Sequence, residues 1–120
     1  MIKLVNRGDI WLVDFSSNVG AEMMGTRPAL IIQGDNLNSL TTYELTIVVP
    51  ITSVIRNVKH QIIIEPSYEN GLYKLSALKC EQLYTVDESR LIKRMGEVDQ
   101  VIVDQVINYI NDLIFSSNTG

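Results

Sequence analysis

"MMGTRPALIIQGDN" (residues 23–36) places a glycine, a single arginine and a proline before a run of four consecutive apolar residues, Ala29–Ile32. Such a run, bounded by glycine on both sides, predicts a buried strand. Proline at position 28 biases Arg27 toward extended backbone, so its guanidinium is presented from a defined direction at the start of the strand. A planar fork of five N–H donors is well suited to binding phosphate.

Similar short segments rich in Ile and Val surround this stretch, and each is bounded by Gly, Asn, Asp, Ser or Pro. They predict strands at "IWLVDF" (10–15), "PALIIQ" (28–33), "ELTIVVPI" (44–51), "QIIIE" (61–65) and "LKCEQLYTV" (78–86). No helical pattern separates them, which favours a small antiparallel barrel over alternating strands and helices. The fold class is therefore expected to be mainly β.

Clear helical periodicity is confined to the end of the chain, after Asp99, which is a plausible N-cap. The apolar residues there recur at spacings of three and four: Val103, Val106, Ile107, Ile110, Leu113 and Ile114. We expect this helix to pack one apolar face on the barrel, and a shorter helical turn to begin at Asp87.

The chain of 120 residues is 46% hydrophobic, which suits one domain spanning residues 1–120. Ten basic residues against fourteen acidic ones give a formal net charge of -4. Bulk charge therefore argues against non-specific binding to a polyanion, and binding of nucleic acid would require a local positive site.

One cysteine, Cys80, and one histidine, His60, offer neither an intrachain disulfide nor a metal-binding cluster of recognisable spacing. Charged residues interrupt the apolar character of the first fifteen positions, and no apolar run approaches the roughly 20 residues of a membrane span. We therefore expect a protein of the reducing cytosol, without a structural metal and without contact with a membrane.

Thr52 follows the apolar run "TIVVPI", and its hydroxyl lies near Arg27 if the two strands are neighbours. Ser53 adds a second hydroxyl. Each residue also has an ordinary structural explanation. An arginine before a proline usually forms a surface ion pair, which for Arg27 would be with Glu22 or Asp35. A threonine at the position of Thr52 usually forms a hydrogen bond to the backbone of a turn.

Four blocks of the sequence carry a family resemblance, in the order "RGDIWLVDF" (7–15), "GTRPALIIQGDN" (25–36), "VVPITS" (48–53) and "CEQLYTVDESRL" (80–91). Together they resemble the successive motifs of the MazF/PemK toxins, which are bacterial, sequence-specific mRNA endoribonucleases. The resemblance extends from about residue 6 to residue 114. It implies a small SH3-like barrel with a C-terminal helix, assembled as a homodimer in the bacterial cytoplasm.

The resemblance also implies that single-stranded RNA is cleaved without a metal or another cofactor, and that a cognate antitoxin blocks the site. By position, Arg27 matches the catalytic arginine of the family and Thr52 matches the threonine that follows its "V-x-P-I" strand. Because arginine stays protonated, Arg27 is expected to stabilise charge on the phosphate while Thr52 orients the reacting groups. The general base is left open.

The expected RNA-contacting residues lie mainly in the polar loop "SSNVGAEMMGT" (16–26) and near the ends of later strands. They are Gly20, Glu22, Met23, Met24, Ser53, His60 and Gln82. For Met23 and Met24, filling a gap against the barrel or a dimer partner is an equal alternative. An unperturbed histidine has a pKa of about 6.5, which suits an acid or base, yet for His60 a structural or RNA-contacting role is favoured over catalysis. For Gln82, a role in the scaffold is the alternative to contact with RNA.

The main rival function is that of a CcdB-like toxin, which has the same barrel class and poisons DNA gyrase without cutting nucleic acid. That group depends on a C-terminal Trp-Gly-Ile, whereas this sequence ends "IFSSNTG" and its only tryptophan is Trp11. A barrel that serves only as an interaction module is a third possibility, and the presence of both Arg27 and Thr52 argues against it.

Overall fold

The structure, a computed structural model, describes residues 4–16, 25–56 and 61–115. Its elements in chain order are β1 (Asp9–Asp14), β2 (Thr26–Ile31), α1 (Asp35–Asn38), β3 (Leu45–Thr52), β4 (Gln61–Ile64), β5 (Ser76–Lys79), β6 (Tyr84–Asp87), β7 (Leu91–Glu97) and α2 (Gln100–Phe115). A turn of 3-10 helix, Glu88–Arg90, joins β6 to β7. The expected mainly β architecture with a C-terminal helix is confirmed, as is a helical turn after Asp87.

All strand pairs are antiparallel, in the order β4-β5-β3-β2-β1-β7, with β6 beside β3. No ladder among the described strands joins β4 to β7, so the sheet is open rather than the closed barrel that was expected. The connection between β4 and β5 reaches across to β7 instead, where the Glu97 amide donates to the Glu69 carbonyl at 2.8 Å.

The central strands are buried on both faces, which explains why their sequences are almost continuously apolar. Along β2, Ala29 and Ile31 belong to one hydrophobic cluster, while Leu30 and Ile32 belong to the other. We call the second cluster the helix-side cluster, because Val103 and Val106 of α2 are buried in it. The opposite cluster contains Ala29 and Ile31 and is the one on whose face Arg27 lies.

The helix begins after Asp99, whose carbonyl accepts hydrogen bonds from the amides of Ile102 and Val103. The periodicity correctly predicted the buried Val103 and Val106, but it was wrong for Ile114, which is 64% exposed. Ile114 lies two turns beyond Val106, about 12 Å along the axis, where the helix has passed the helix-side cluster. Within the described part of the chain, neither helix is long and apolar enough to span a membrane.

The prediction of one strand over residues 78–86 was wrong, because a turn divides this segment into β5 and β6. The Gln82 amide closes the turn on the Lys79 carbonyl at 2.9 Å. Val48 of β3 pairs with Tyr84 of β6, and Thr52 of β3 pairs with Ala77 of β5. More residues therefore separate Ala77 from Tyr84 than separate Val48 from Thr52. The turn takes up the excess and lets both strands lie along the same side of β3.

Strand β7 was not predicted, because its sequence "LIKRMGE" lacks a regular alternation of polar and apolar residues. Register shifts interrupt its pairing with β1, and three consecutive residues, 92–94, are exposed. Charged side chains such as Lys93 and Arg94 are typical of an edge strand, where they discourage pairing with another chain. Helix α1, a single short turn, was also not predicted.

Candidate functional site

Arg27 is the second residue of β2, and its side chain is exposed. Its backbone pairs with Val13 of β1, so the extended conformation predicted from Pro28 is observed within a ladder. The hairpin is closed next to it, because the Phe15 amide donates to the carbonyl of Gly25 at 2.8 Å. The position of the Arg27 backbone at this end of the sheet is therefore fixed.

Thr52 is the last residue of β3 and is only 8% exposed. Its backbone pairs with Ala77 of β5, and its hydroxyl oxygen accepts a hydrogen bond from the Val54 amide at 3.1 Å. The expected turn contact is thus present. A hydroxyl that accepts one hydrogen bond can still donate its own proton to another group.

The register brings Arg27 and Thr52 together. Strand β2 is paired with β3 from Ile31–Val48 to Ala29–Pro50, and Arg27 and Thr52 each lie two residues further on. They are therefore opposite each other on the same face of neighbouring strands, about 5 Å apart if the two strands keep their normal spacing. Strands β2 and β3 are therefore neighbours, as the prediction required, and the contact of both side chains with one phosphate stays a prediction.

Two prolines mark this end of the β2–β3 pair, and both remove backbone donors. Pro50 takes part in the last paired position, and Pro28 is the next residue of β2 beyond that pair. Beyond them, Arg27 is held by β1 and Thr52 by β5, while the ladder between their own strands has ended. Backbone hydrogen bonds between β2 and β3 therefore end before Arg27 and Thr52.

Ser53 follows Thr52 and is exposed, which leaves its hydroxyl accessible beside the same strand end. Gln82 lies in the turn between β5 and β6, the two strands that pair with β3. Its side-chain oxygen is buried without a hydrogen-bond partner in the described structure. The side-chain oxygens of Gln33 and Gln61 are unpaired in the same way, so the contact of Gln82 with RNA stays a prediction.

Gly20, Glu22, Met23, Met24 and His60 lie outside the described residues. Their predicted roles remain predictions. The loop that contains four of them leaves β1 after Asp14 and returns at Gly25, whose φ of 77° lies in the left-handed region that glycine tolerates. Both ends of the loop are therefore at the same end of the sheet as Arg27.

A carboxylate, Asp14, also lies at this end of the sheet and was not predicted as a site residue. Hydrogen bonds from the Ser16 side chain and backbone lower its pKa, and Arg90 contributes further. Asp14 pairs with Thr26, one step along from the Val13–Arg27 pair, so its side chain and that of Arg27 point to opposite faces. The general base therefore stays unassigned.

Asp35, one of the expected partners of Arg27, has a different position in the structure. Its carboxylate accepts a hydrogen bond from the Arg7 backbone amide at 2.7 Å and another from the Asn38 side chain at 3.2 Å. It thereby ties the segment before β1 to helix α1. The residues between 4 and 115 that the structure describes contain no group of three or more His, Cys, Asp or Glu side chains able to hold a metal ion.

Comparison with known proteins identifies the family. Residues 6–114 match the model of the PemK-like, MazF-like toxin of type II toxin-antitoxin systems. The chain is 34% identical over 104 residues to endoribonuclease EndoA of Bacillus subtilis, which covers 86% of this chain and 88% of that protein. It is 30% identical over 114 residues to endoribonuclease PemK of Escherichia coli, which covers 92% of this chain and 82% of that protein.

Solved structures share the fold. MazF from Deinococcus radiodurans superposes with a TM-score of 0.79 at 20% identity, over 94% of this chain and 98% of that one. A MazE-MazF structure from the same organism gives a TM-score of 0.75 at 20% identity, over 97% of this chain and 100% of that one. These matches give no support to a CcdB-like gyrase poison. The chain belongs to the PemK/MazF family of type II toxin-antitoxin toxins.

Proposed function

We propose that this protein is a cytoplasmic bacterial endoribonuclease that cleaves single-stranded mRNA and is neutralised by a cognate antitoxin. The observation that carries the proposal is the placement of Arg27 opposite Thr52 beyond the last β2–β3 pair. An exposed guanidinium and a hydroxyl on neighbouring strands offer several donors to one phosphate. Relatives that are named endoribonucleases support the same activity.

The proposed reaction uses the RNA as its own nucleophile. The ribose 2′-oxygen attacks the adjacent phosphorus and gives its proton to a base, and the bond from phosphorus to the 5′-oxygen breaks. The leaving 5′-oxygen takes up a proton, so the products are a 2′,3′-cyclic phosphate and a 5′-hydroxyl. Negative charge grows on the non-bridging oxygens during this exchange, and that charge is what the site must stabilise.

Arg27 is assigned the stabilisation of this charge, because two of its parallel N–H groups can bind two phosphate oxygens at once. Thr52 is assigned the orientation of the phosphate or of the attacking hydroxyl. Its hydroxyl oxygen accepts a hydrogen bond from the Val54 amide, and its hydroxyl proton can be donated to the RNA. Ser53 and Gln82 are assigned contacts to the RNA beside the scissile phosphate. These roles need no metal ion.

Two partners accompany the proposed activity. A second copy of the chain is expected, since several large apolar side chains are exposed, among them Ile63 at 48% and Phe115 at 76%. An acidic antitoxin segment that folds as it binds over Arg27 is expected to exclude RNA. One structural neighbour, a mycobacterial endoribonuclease solved in complex with its cognate antitoxin, is in line with this partnership.

The test is incubation of the purified protein with mixed RNA in excess EDTA, followed by mapping of the cut ends. We expect cleavage to persist and to leave cyclic phosphate and 5′-hydroxyl ends. A substrate with deoxyribose at the cut position should bind and resist cleavage, because it lacks the nucleophile. Activity that is lost in EDTA and restored by Mg²⁺, or cleavage of the deoxy substrate, would overturn this mechanism. Inhibition of gyrase without RNA cleavage would support the rival function.

A further inference from the structure

An open groove of about 650 Å³ lies between β7 and the connection from β4 to β5. It is lined by residues 66–68 and 71–73 of that connection, by residues 93–95 of β7 and by Leu12 of β1. We call it the β7 groove. None of its lining residues belongs to the candidate site around Arg27 and Thr52.

Two tyrosines of the β7 groove are almost fully exposed: Tyr68 at 97% and Tyr73 at 89%. Large aromatic side chains usually bury most of their surface, so two such rings in one groove suggest a binding function. Exposed aromatic rings are the usual platform for the bases of single-stranded nucleic acid, since every base has a flat face that stacks.

The connection that carries the two tyrosines is held rigidly by the buried Asn70. Its side-chain oxygen accepts hydrogen bonds from the amides of Ser67 at 3.0 Å and Leu72 at 2.9 Å, and its nitrogen donates to the Glu65 carbonyl at 2.9 Å. Gly71 has a φ of 71°, and a Cβ there would overlap the Met95 carbonyl oxygen. Because the backbone is fixed before any ligand binds, little conformational entropy is lost on binding.

The charge of the groove is opposite to that of the whole chain. The formal net charge is -4, yet the charged residues lining the groove are Lys93 and Arg94, with no carboxylate. Arg94 is paired with Asp9 at 3.2 Å and lies 3.7 Å from Glu97. Lys93 forms no ion pair with a described residue. Its ammonium group is therefore the better placed of the two to bind an external anion.

We propose that the β7 groove is a second binding site for the RNA substrate, in which bases stack on Tyr68 and Tyr73 and a phosphate binds Lys93. The inference rests on the proposed ribonuclease function and extends it to nucleotides that flank the cleaved bond. Two open rings beside a lysine fit stacked bases better than an acidic protein segment, which would need closely packed apolar contacts.

The position of the groove separates it from the cleavage site. Leu12 pairs with Lys93 on one side and with Pro28 on the other, so Lys93 and Pro28 lie two strand spacings apart, about 10 Å. Leu12 and Arg27 point to opposite faces of the sheet, because Arg27 pairs with the next residue, Val13. The groove therefore binds nucleotides away from the scissile phosphate, and it acts on affinity rather than on the chemical step.

The first test measures binding of a fluorescent 15-nucleotide oligouridylate with 2′-fluoro sugars, which cannot be cleaved by 2′-oxygen attack. We expect Tyr68→Ala combined with Tyr73→Ala to weaken binding at least about 10-fold, and the corresponding double Phe variant to bind like the wild type. Lys93→Gln should lower the salt dependence of binding by about one phosphate contact, whereas Lys74→Gln, which removes the same charge outside the groove, should not.

The second test is steady-state cleavage of a long RNA, for which the double Ala variant should raise KM about 10-fold and leave kcat unchanged. If the wild type cleaves RNA and the double Ala variant binds the 15-mer normally, the second site does not exist. Polyglutamate serves as a probe for an acidic protein segment. If the double Ala variant loses binding to polyglutamate and still binds the 15-mer normally, the groove binds an acidic protein and the proposal is wrong. If no RNA is cleaved by any form but the Ala variant binds the 15-mer more weakly, the binding site stands and the ribonuclease function falls.

Discussion

Arg27 and Thr52 lie opposite each other on neighbouring strands, two residues beyond the Ala29–Pro50 pair that ends the β2–β3 ladder. Each is held by its outer neighbour, Val13 for Arg27 and Ala77 for Thr52. The two residues are thus held in position by their outer ladders, while the ladder between their own strands ends two residues before them. This placement is the observation on which the proposed catalytic roles of both residues rest.

Replacement of Arg27 tests whether its planar fork is needed. Arg27→Lys keeps the charge but loses the bidentate contact, so its cleavage rate should fall almost as far as that of Arg27→Ala, by roughly 100-fold or more. RNA affinity should fall much less than the rate, because the contact strengthens in the transition state. Single-turnover cleavage and anisotropy measure the two quantities.

Folding is the control for this pair of variants. Arg27 is exposed, so neither substitution should move the melting temperature by more than a few degrees. Near-normal cleavage by Arg27→Lys would reduce the arginine to a general positive charge. Failure of Arg27→Ala to fold would make it a structural anchor.

Two threonines on β3 separate chemistry from stability. Thr52→Val removes the hydroxyl at the strand end and should lower the cleavage rate at least about 10-fold. Thr46 is the control for stability. It is 1% exposed, and its hydroxyl donates a hydrogen bond to the Asn38 side-chain oxygen at 3.0 Å. Thr46→Val should therefore cost about 1–2 kcal/mol of stability with the rate unchanged. Thermal melts and initial rates would show the contrast, and equal effects of both variants on rate would argue that Thr52 acts only through the fold.

The sequence predicted the central strands better than it predicted their arrangement. Strands β1 to β4 are short, apolar and bounded by turn residues, so local composition was sufficient to find them. That Arg27 faces Thr52 depends on the β2–β3 register, which is a tertiary property. From the sequence, the closeness of Arg27 and Thr52 could be predicted only on the condition that their two strands are neighbours.

The errors have physical causes of the same kind. The turn that separates β5 from β6 contains the apolar residues Cys80 and Leu83, so it carries none of the usual turn signals. Edge strand β7 carries adjacent Lys93 and Arg94 because its partner lies on one side only. Closure into a barrel also depends on long-range pairing, which local patterns do not encode.

The thiol of Cys80 should be inert in the folded protein. Burial, with a smaller contribution from Glu81, raises its pKa from 9.0 to about 12. The thiolate is the reactive form, so an aromatic disulfide reagent at pH 8 should react slowly with the native protein and rapidly after unfolding in guanidinium. Fast labelling of the native state would show that this residue is accessible.

The same shift sets a pH dependence. A thiol whose folded pKa is raised contributes stability that is fully present below pH 9.0 and is lost as the pH rises toward about 12. Because tyrosines and lysines titrate in the same range, the informative quantity is the difference in unfolding free energy between wild type and Cys80→Ala. We expect this difference to be constant up to about pH 9 and to shift in favour of Cys80→Ala above it.

Asn70 tests whether the connection carrying Tyr68 and Tyr73 is rigid. The residue is 5% exposed, and its side chain binds two backbone amides and one backbone carbonyl of the connection. Asn70→Ala leaves these groups without partners in a region from which water is largely excluded, so we expect a loss of about 2–4 kcal/mol. In a chain of this size, that loss corresponds to a fall of roughly 10 °C in melting temperature. Asn70→Asp keeps the acceptor for the two amides but sets a carboxylate oxygen against the Glu65 carbonyl, so it should not restore wild-type stability. Asn111→Ala, at an exposed position of α2, is the matched control and should leave stability within about 0.5 kcal/mol of the wild type. If Asn70→Ala were as stable as this control, the connection would not depend on its asparagine, and the claim that the tyrosines are positioned before RNA arrives would fail.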